Sequence, residues 1–269
     1  MTQEETAPAI DTLAVHAGER RPGPEGSIVF PIYQGTVYAT GADATYDDLK
    51  YIRLSTTPTQ RYLCDKLGAL EGAESALVTA SGMAALAGTL TALLEPGDHL
   101  LAGECLYGGT HQFLLEDAPR LGLGCTFIDA QRPEVWESAL RPKTRLVLLE
   151  SIGNPLMRVP RLKEMVAFAR AHRLTVLMDN TLASPFNLQP LRHGVDLVFH
   201  SATKYLNGHS DIVAGCVMGP AAMVERIRRR QNHFGGALDP HAAFLLARGV
   251  KTLALRVRAQ NANGLALAR

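Results

Sequence analysis

The chain has 269 residues, enough to bury one substantial α/β core, and its 46% hydrophobic content is that of an ordinary globular domain. Its 27 Lys and Arg against 26 Asp and Glu leave a formal charge of +1, which argues against a protein that grips nucleic acid or a membrane surface by bulk charge. No apolar run is long enough for a membrane span, and Met1-Thr-Gln-Glu-Glu-Thr6 lacks the basic and apolar regions of a secretory signal, so a cytoplasmic setting is expected.

Residues 1–58 are rich in Pro, Gly and Thr with few periodic apolar positions, and read as an irregular arm. A helix is expected over 59–70, stopping at Glu71-Gly72, then a strand over 76–80 and a helix from Ser81-Gly82 to 94. Pro96-Gly97-Asp98 turns into a strand over 99–102, followed by a helix near 110–121 and a strand over 125–129. The strand over 145–150 leads to Asn154-Pro155 and a helix over about 160–172. Apolar runs ending at Met178 and Phe199, and the run 212–218, complete the strands. A basic helix over 221–231 and a helix from about His241 follow.

Short strands alternating with helices imply a mostly parallel α/β sheet of about seven strands, covered on both faces. The expected division is an arm (1–58), a large domain (59–240) and the start of a further domain (241–269). The last stretch, Arg248 to Arg269, reads as an amphipathic helix with no closing glycine cap, exposing Leu253, Leu255 and Val257. Cys64, Cys105, Cys125 and Cys216 lie scattered without a C-x-x-C pair, as reduced structural residues do.

The chemistry concentrates where strands end. His200-Ser-Ala-Thr-Lys204 places a lysine at the end of one buried apolar strand, where it is expected to lose solvation, and Asp179 closes another. Such a lysine is a nucleophile suited to a Schiff base with an aldehyde cofactor, and lysine with aspartate is the pair a pyridoxal phosphate site requires. Taken singly, the two read better as an exposed strand-end lysine and a loop-capping aspartate. Ser81-Gly82-Met83 starts a helix and could cradle a phosphate, although such turns are common in α/β proteins. Tyr107, before Gly108-Gly109, could lie against a planar ligand, and Asn154 could reach a ring hydroxyl. His200 and His209 have no carboxylate or cysteine at ligand spacing and read as structural, so no metal site is expected. Tyr51-Ile-Arg53 on the arm looks, within one chain, like an ordinary surface pair.

These pieces together resemble the Cys/Met-metabolism (transsulfuration) family of pyridoxal-phosphate (PLP) enzymes. Pro31-Ile-Tyr-Gln, Leu70-Glu-Gly, Ser81-Gly-Met-Ala-Ala, Gly97-Asp-His, Tyr107-Gly-Gly-Thr, Glu150 with Asn154-Pro, Asp179-Asn-Thr, Ser201-Ala-Thr-Lys-Tyr, Gly208-His-Ser-Asp and Arg248-Gly-Val-Lys-Thr-Leu occur in family order. The resemblance implies a fold type I PLP-dependent transferase. It makes Lys204 the Schiff-base lysine and proton shuttle, Asp179 the partner of the pyridine nitrogen, and Tyr107 the residue stacked on the ring. Gly82, Met83, Ser201 and Thr203 become phosphate ligands, with Ser81 and Thr181 among the cofactor contacts and Asn154 on the ring oxygen. Tyr51 and Arg53 become the pair that reaches a neighbouring subunit's site, in a homodimer or homotetramer.

The implied activity is that of a PLP-dependent carbon–sulfur lyase or transferase. It would perform β- or γ-elimination or γ-replacement on cystathionine, methionine or O-acylhomoserine type substrates. Two departures stand out. Leu54-Ser-Thr-Thr57 is one residue longer than the common Tyr-x-Arg-x-x-Asn-Pro-Thr form and lacks its asparagine. Family members also continue into a small domain carrying an arginine for the substrate carboxylate. The alternative expectation is therefore a truncated homologue that binds cofactor but is weakly active or non-catalytic.

Overall fold

The computed structural model describes residues 8–19 and 22–269; residues 1–7, on which the expected lack of a secretory signal rests, lie outside that range. The strands are β1 (Ser75–Thr79), β2 (His99–Gly103), β3 (Gly124–Ile128), β4 (Thr144–Glu150), β5 (Thr175–Asp179), β6 (Leu197–His200) and β7 (Gly215–Gly219). The helices are α1 (Ile10–His16), α2 (Pro58–Glu71), α3 (Gly82–Leu93), α4 (Gly108–Glu116), α5 (Leu162–Ala171), α6 (Ser184–Asn187), α7 (Ala221–Phe234), α8 (Pro240–Val250) and α9 (Leu253–Ala268).

One seven-stranded sheet runs β1-β7-β6-β5-β4-β2-β3. Strand β7 is antiparallel to both β1 and β6, while the remaining pairings are parallel, so β7 alone is reversed. The carboxyl ends of the other six strands therefore share one edge.

The alternation of strand side chains explains the two covered faces. Val147 and Leu149 of β4, Val176 and Met178 of β5 and Val198 of β6 join one core with α2, α5 and α8. Their neighbours Leu146, Leu148, Leu177, Leu197 and Phe199 join a second core with α3, α4 and α7. Thr57 caps α2 reciprocally with Gln60, and the left-handed Gly72 ends it, as its sequence promised.

Three expectations are corrected. The arm is not irregular throughout, because α1 lies within it, buries Ala14 and packs on α2. Buried Lys66 of α2 donates to the carbonyls of Ala14 (3.1 Å) and Val15 (2.9 Å), meeting acceptors the end of α1 leaves open. The expected terminal helix is broken at Lys251-Thr252 into α8 and α9. Leu253 and Val257 are buried in the main core rather than exposed, because the first turns of α9 lie against α1 and α6; of the three named residues only Leu255 is exposed. Leu246, Val250, Leu253 and Val257, beyond residue 241, pack into the same core as α2 and α5.

Candidate active site

At the shared edge of strand ends lies a cavity of about 1130 Å³. It is lined by Ser81, Gly82, Met83, Tyr107, Asn154, Asp179, Thr181, Ser201, Thr203 and Lys204. Residues spread over more than a hundred positions meet here because parallel strands deliver their following loops to one side.

Ser81 sits at the turn from β1 into α3. Its Oγ accepts from Ala84 N (3.0 Å) and its carbonyl from Ala85 N (3.1 Å). The first-turn N–H groups of Gly82 and Met83 are then the ones such a helix leaves for an external acceptor. Glycine is required at 82, since a Cβ there would lie 2.8 Å from Ser201 Cβ. Thr203, expected beside the phosphate, directs its N–H and its hydroxyl to the Ala214 carbonyl (both 3.1 Å), and the same hydroxyl accepts from Ala214 N (3.0 Å).

Lys204 does not lie at the buried end of β6. It occupies the turn beyond that strand, with its side chain exposed where the cavity opens. Lys204 N donates to Ser201 O (3.1 Å) and its carbonyl accepts from Gly208 N (2.8 Å). Arg256 of α9 holds this turn from behind, donating to the carbonyls of Tyr205 (2.7 Å), Leu206 (3.3 Å) and Gly249 (2.9 Å). Gly208 gives the guanidinium its place, because a Cβ there would meet Arg256 Nη1 at 2.2 Å.

Asp179 and Glu150 are register partners at the ends of β5 and β4. Asp179 Oδ1 accepts from Thr181 N (2.9 Å) and Thr181 Oγ1 (2.5 Å), and Thr181 Oγ1 accepts from Ser201 N (2.8 Å). Both bonds end on Oδ1, so Oδ2 is the oxygen left for a ligand. Burial raises the Asp179 pKa, opposed by the Thr181 bonds and then by His200. Burial and the Asp179 charge push Glu150 up to about 7, against bonds from the Tyr107 and Asn154 amides.

Beneath Asp179, Glu71 Oε1 pairs with His200 Nε2 (2.6 Å) and accepts from Asn180 Nδ2 (2.9 Å), all three residues being buried. His200 is structural, as its sequence setting suggested, but its carboxylate partner comes from the end of α2 and is invisible in local spacing. Glu150 and Arg256 were likewise given no role by the sequence. An acidic residue closing the apolar run of β4, as Asp179 closes β5, is the signal that could have exposed Glu150.

Tyr51 and Arg53 do not join this chain's cavity. The Arg53 guanidinium sits 5.3 Å from the Tyr51 ring centroid and donates to Asn232 O (2.6 Å). The extra residue after Arg53 is absorbed by Ser55 in a left-handed conformation (φ 56°), with Thr56 Oγ1 donating to Leu49 O (2.8 Å).

The donor set fits pyridoxal phosphate. A tight helix start suits its phosphate, a half-buried carboxylate with one committed oxygen suits a protonated ring nitrogen, and an exposed tyrosine and a lysine stand in the same cavity. Comparisons with known proteins agree. The profile of the family described as "Cys/Met metabolism PLP-dependent enzyme" matches residues 11–269. A probable cystathionine gamma-synthase of Herpetosiphon aurantiacus is 39% identical, over 96% of this chain and 80% of that protein. An L-methionine gamma-lyase of Pseudomonas putida is 40% identical, over 97% of this chain and 68% of that one.

Among solved structures, metB from Corynebacterium glutamicum superposes with a TM-score of 0.87 at 34% identity, over 92% of this chain. A cystathionine gamma-lyase from Lactobacillus plantarum complexed with L-serine gives 0.86 at 33% identity, also over 92% of this chain. The chain spans 65% and 64% of those two structures. With its cavity, donor set and sequence in agreement, the chain belongs to the Cys/Met-metabolism family of PLP-dependent enzymes.

Proposed function

We propose that this chain is a PLP-dependent carbon–sulfur lyase or transferase of sulfur amino-acid metabolism. Its substrates are of the cystathionine, methionine or O-acylhomoserine type, processed by β- or γ-elimination or γ-replacement. The observation that carries this reading is the convergence of Lys204, Asp179, Tyr107 and the start of α3 on one cavity. Relatives named cystathionine gamma-synthase and cystathionine gamma-lyase match nearly the whole of this chain, and the reaction proposed here begins with removal of the substrate Cα proton.

The cofactor supplies an electron sink for the carbanion this removal leaves. Lys204, exposed in its turn, is placed to hold the cofactor's aldehyde carbon and then to carry the proton from substrate Cα. Asp179 opposes a positive ring nitrogen with a charge that burial makes strong. Gly82 and Met83 N–H groups would hold the phosphate, Tyr107 would cover the ring, and Asn154 would meet the ring oxygen. Tyr51 and Arg53, off their own cavity, reach that of a second copy in a homodimer or homotetramer. Exposed Ile28, Val29 and Val37 on the same arm support this, since they await a covering surface.

The test is direct. Purified chain mixed with pyridoxal phosphate turns yellow, borohydride fixes the label at Lys204, and the loaded protein releases a 2-oxo acid from cystathionine or methionine. Lys204→Ala loses both label and turnover. A label recovered on Lys163 or Lys251 instead would overturn the assignment.

A further inference from the structure

The cavity contains a carboxylate that the proposed chemistry leaves unused. Glu150 ends β4 directly beside Asp179, and its two oxygens part company. Oε1 accepts from the backbone N–H of Tyr107 at 2.5 Å, across 43 residues of sequence. Oε2 accepts from the backbone N–H of Asn154 at 3.2 Å, on the loop that follows its own strand. Tyr107 precedes α4 and stands 49% exposed, and Asn154 is also exposed, so neither side chain is fixed by burial. Their backbones are fixed here instead, by one side chain that is itself only 8% exposed.

We infer that Glu150 is a positioning residue, a two-ended clamp that sets the Tyr107 loop and the Asn154 loop at a fixed separation along the wall of the cavity. The clamp rests on the PLP reading for what lies between the loops, but not for its own existence. A carboxylate suits the task because each oxygen accepts independently, whereas a glutamine offers one acceptor and one donor. The charge is held against resistance. Asp179 faces it from β5, Lys204 and Tyr107 share its cavity, and Glu104, Cys105, Asp129 and Arg158 stand behind it in a small crevice. With its carboxyl raised to about 7, Glu150 takes up a proton near neutrality, and the protonated oxygen becomes an O–H donor and a much poorer acceptor. One end of the clamp is therefore released as pH falls through that range.

Amide hydrogen exchange on the cofactor-free chain tests this, with rates corrected for intrinsic pH dependence and read at Tyr107 and Asn154. Wild type is expected to protect both amides at pH 8.5 and to lose protection at one of them by about tenfold below a midpoint near 7, the value that Glu150 takes. Glu150→Gln is expected to leave one amide unprotected at every pH, with no midpoint. Asp179→Asn removes the facing charge and should move the midpoint to lower pH. A parallel titration with pyridoxal phosphate should show about tenfold weaker binding to Glu150→Gln. Equal, pH-independent exchange at both amides in wild type and Glu150→Gln would overturn the clamp, whatever the cofactor does. Failure of wild type to bind pyridoxal phosphate, with the amides responding as described, would leave the clamp standing and remove the proposed function.

Discussion

The floor of the cavity and the N-terminal arm treat their acids in opposite ways. On the floor, Asp179 and Glu150 are raised by burial and held in place by backbone and hydroxyl donors. On the arm, Asp11, partly exposed, is lowered by its bond to Arg258, and exposed Asp48 by its bonds to Thr45. Surface acids with partners simply settle in their charged form. Strand-end acids are kept where a charge is unwelcome, and perturbed groups of that kind gather at functional sites. The contrast extends to anchoring. The floor is fixed by sheet pairing, while Tyr51 and Arg53 are held by individual hydrogen bonds, such as those of Tyr51 N–H to Thr56 Oγ1 and of Arg53 to the distant Asn232 carbonyl.

Four expected outcomes break or sharpen this contrast. The largest effect belongs to Asp179→Asn, which keeps shape and removes the charge opposite the ring nitrogen. Exchange of the substrate α-proton should slow by about 10²- to 10³-fold while cofactor still binds. Unchanged exchange, followed by NMR, would remove Asp179 from the floor's chemistry.

Next comes the pH dependence of stability in the cofactor-free chain. Glu150 has a folded value of about 7 against an ordinary 4.5, so between those values the folded state binds more protons than the unfolded one. Its contribution is fully present below about 4.5 and is lost as pH rises to about 7, a decline of about 3 kcal/mol. Denaturant melts of wild type and Glu150→Gln across this window should diverge, with the variant the flatter of the two. Parallel curves would mean the floor carries no such strain.

Arg256→Ala should lower stability by about 2 kcal/mol, because it strips the Tyr205 and Leu206 carbonyls of their donor. Amide exchange should quicken over residues 204–208, and a response confined to α9 would show that the lysine turn holds itself.

The smallest effect is expected at the arm. Arg53→Ala should weaken cofactor binding in the assembled protein by about tenfold. Random mixing with Lys204→Ala should then regenerate roughly a quarter of the sites with both residues intact. Absence of any recovered turnover would return Arg53 to its own chain, where its bond to Asn232 O is already its role.

What was legible in the sequence follows the same division. Strands and their terminal residues announce themselves locally, through apolar runs that stop at Asp179 or at the serine before Lys204. The pairings that tie the floor together are not local. Glu71 meets His200 across 129 residues, and Arg256 meets Tyr205 across 51. No periodicity marks such partners, since only tertiary packing brings them together. The burial of Leu253 and Val257 was hidden for a related reason. The helix break at Lys251-Thr252 turns α9 back onto α1, a helix that the composition of the arm had concealed.

The reversed strand β7 also dictates an order of assembly. It lies between β1 and β6, so the phosphate cradle after β1 and the lysine turn after β6 become neighbours only once β7 has been inserted. The fit is tight, for Gly215 sits where a Cβ would fall 2.1 Å from the Ser81 carbonyl. The two halves of the ligand site are thus expected to meet only when residues 215–219 dock, and the long loop closure between β1 and β7 is expected to slow that step. Cofactor added to folding chains should then be captured late, in step with docking of the central strand rather than with formation of the parallel strands.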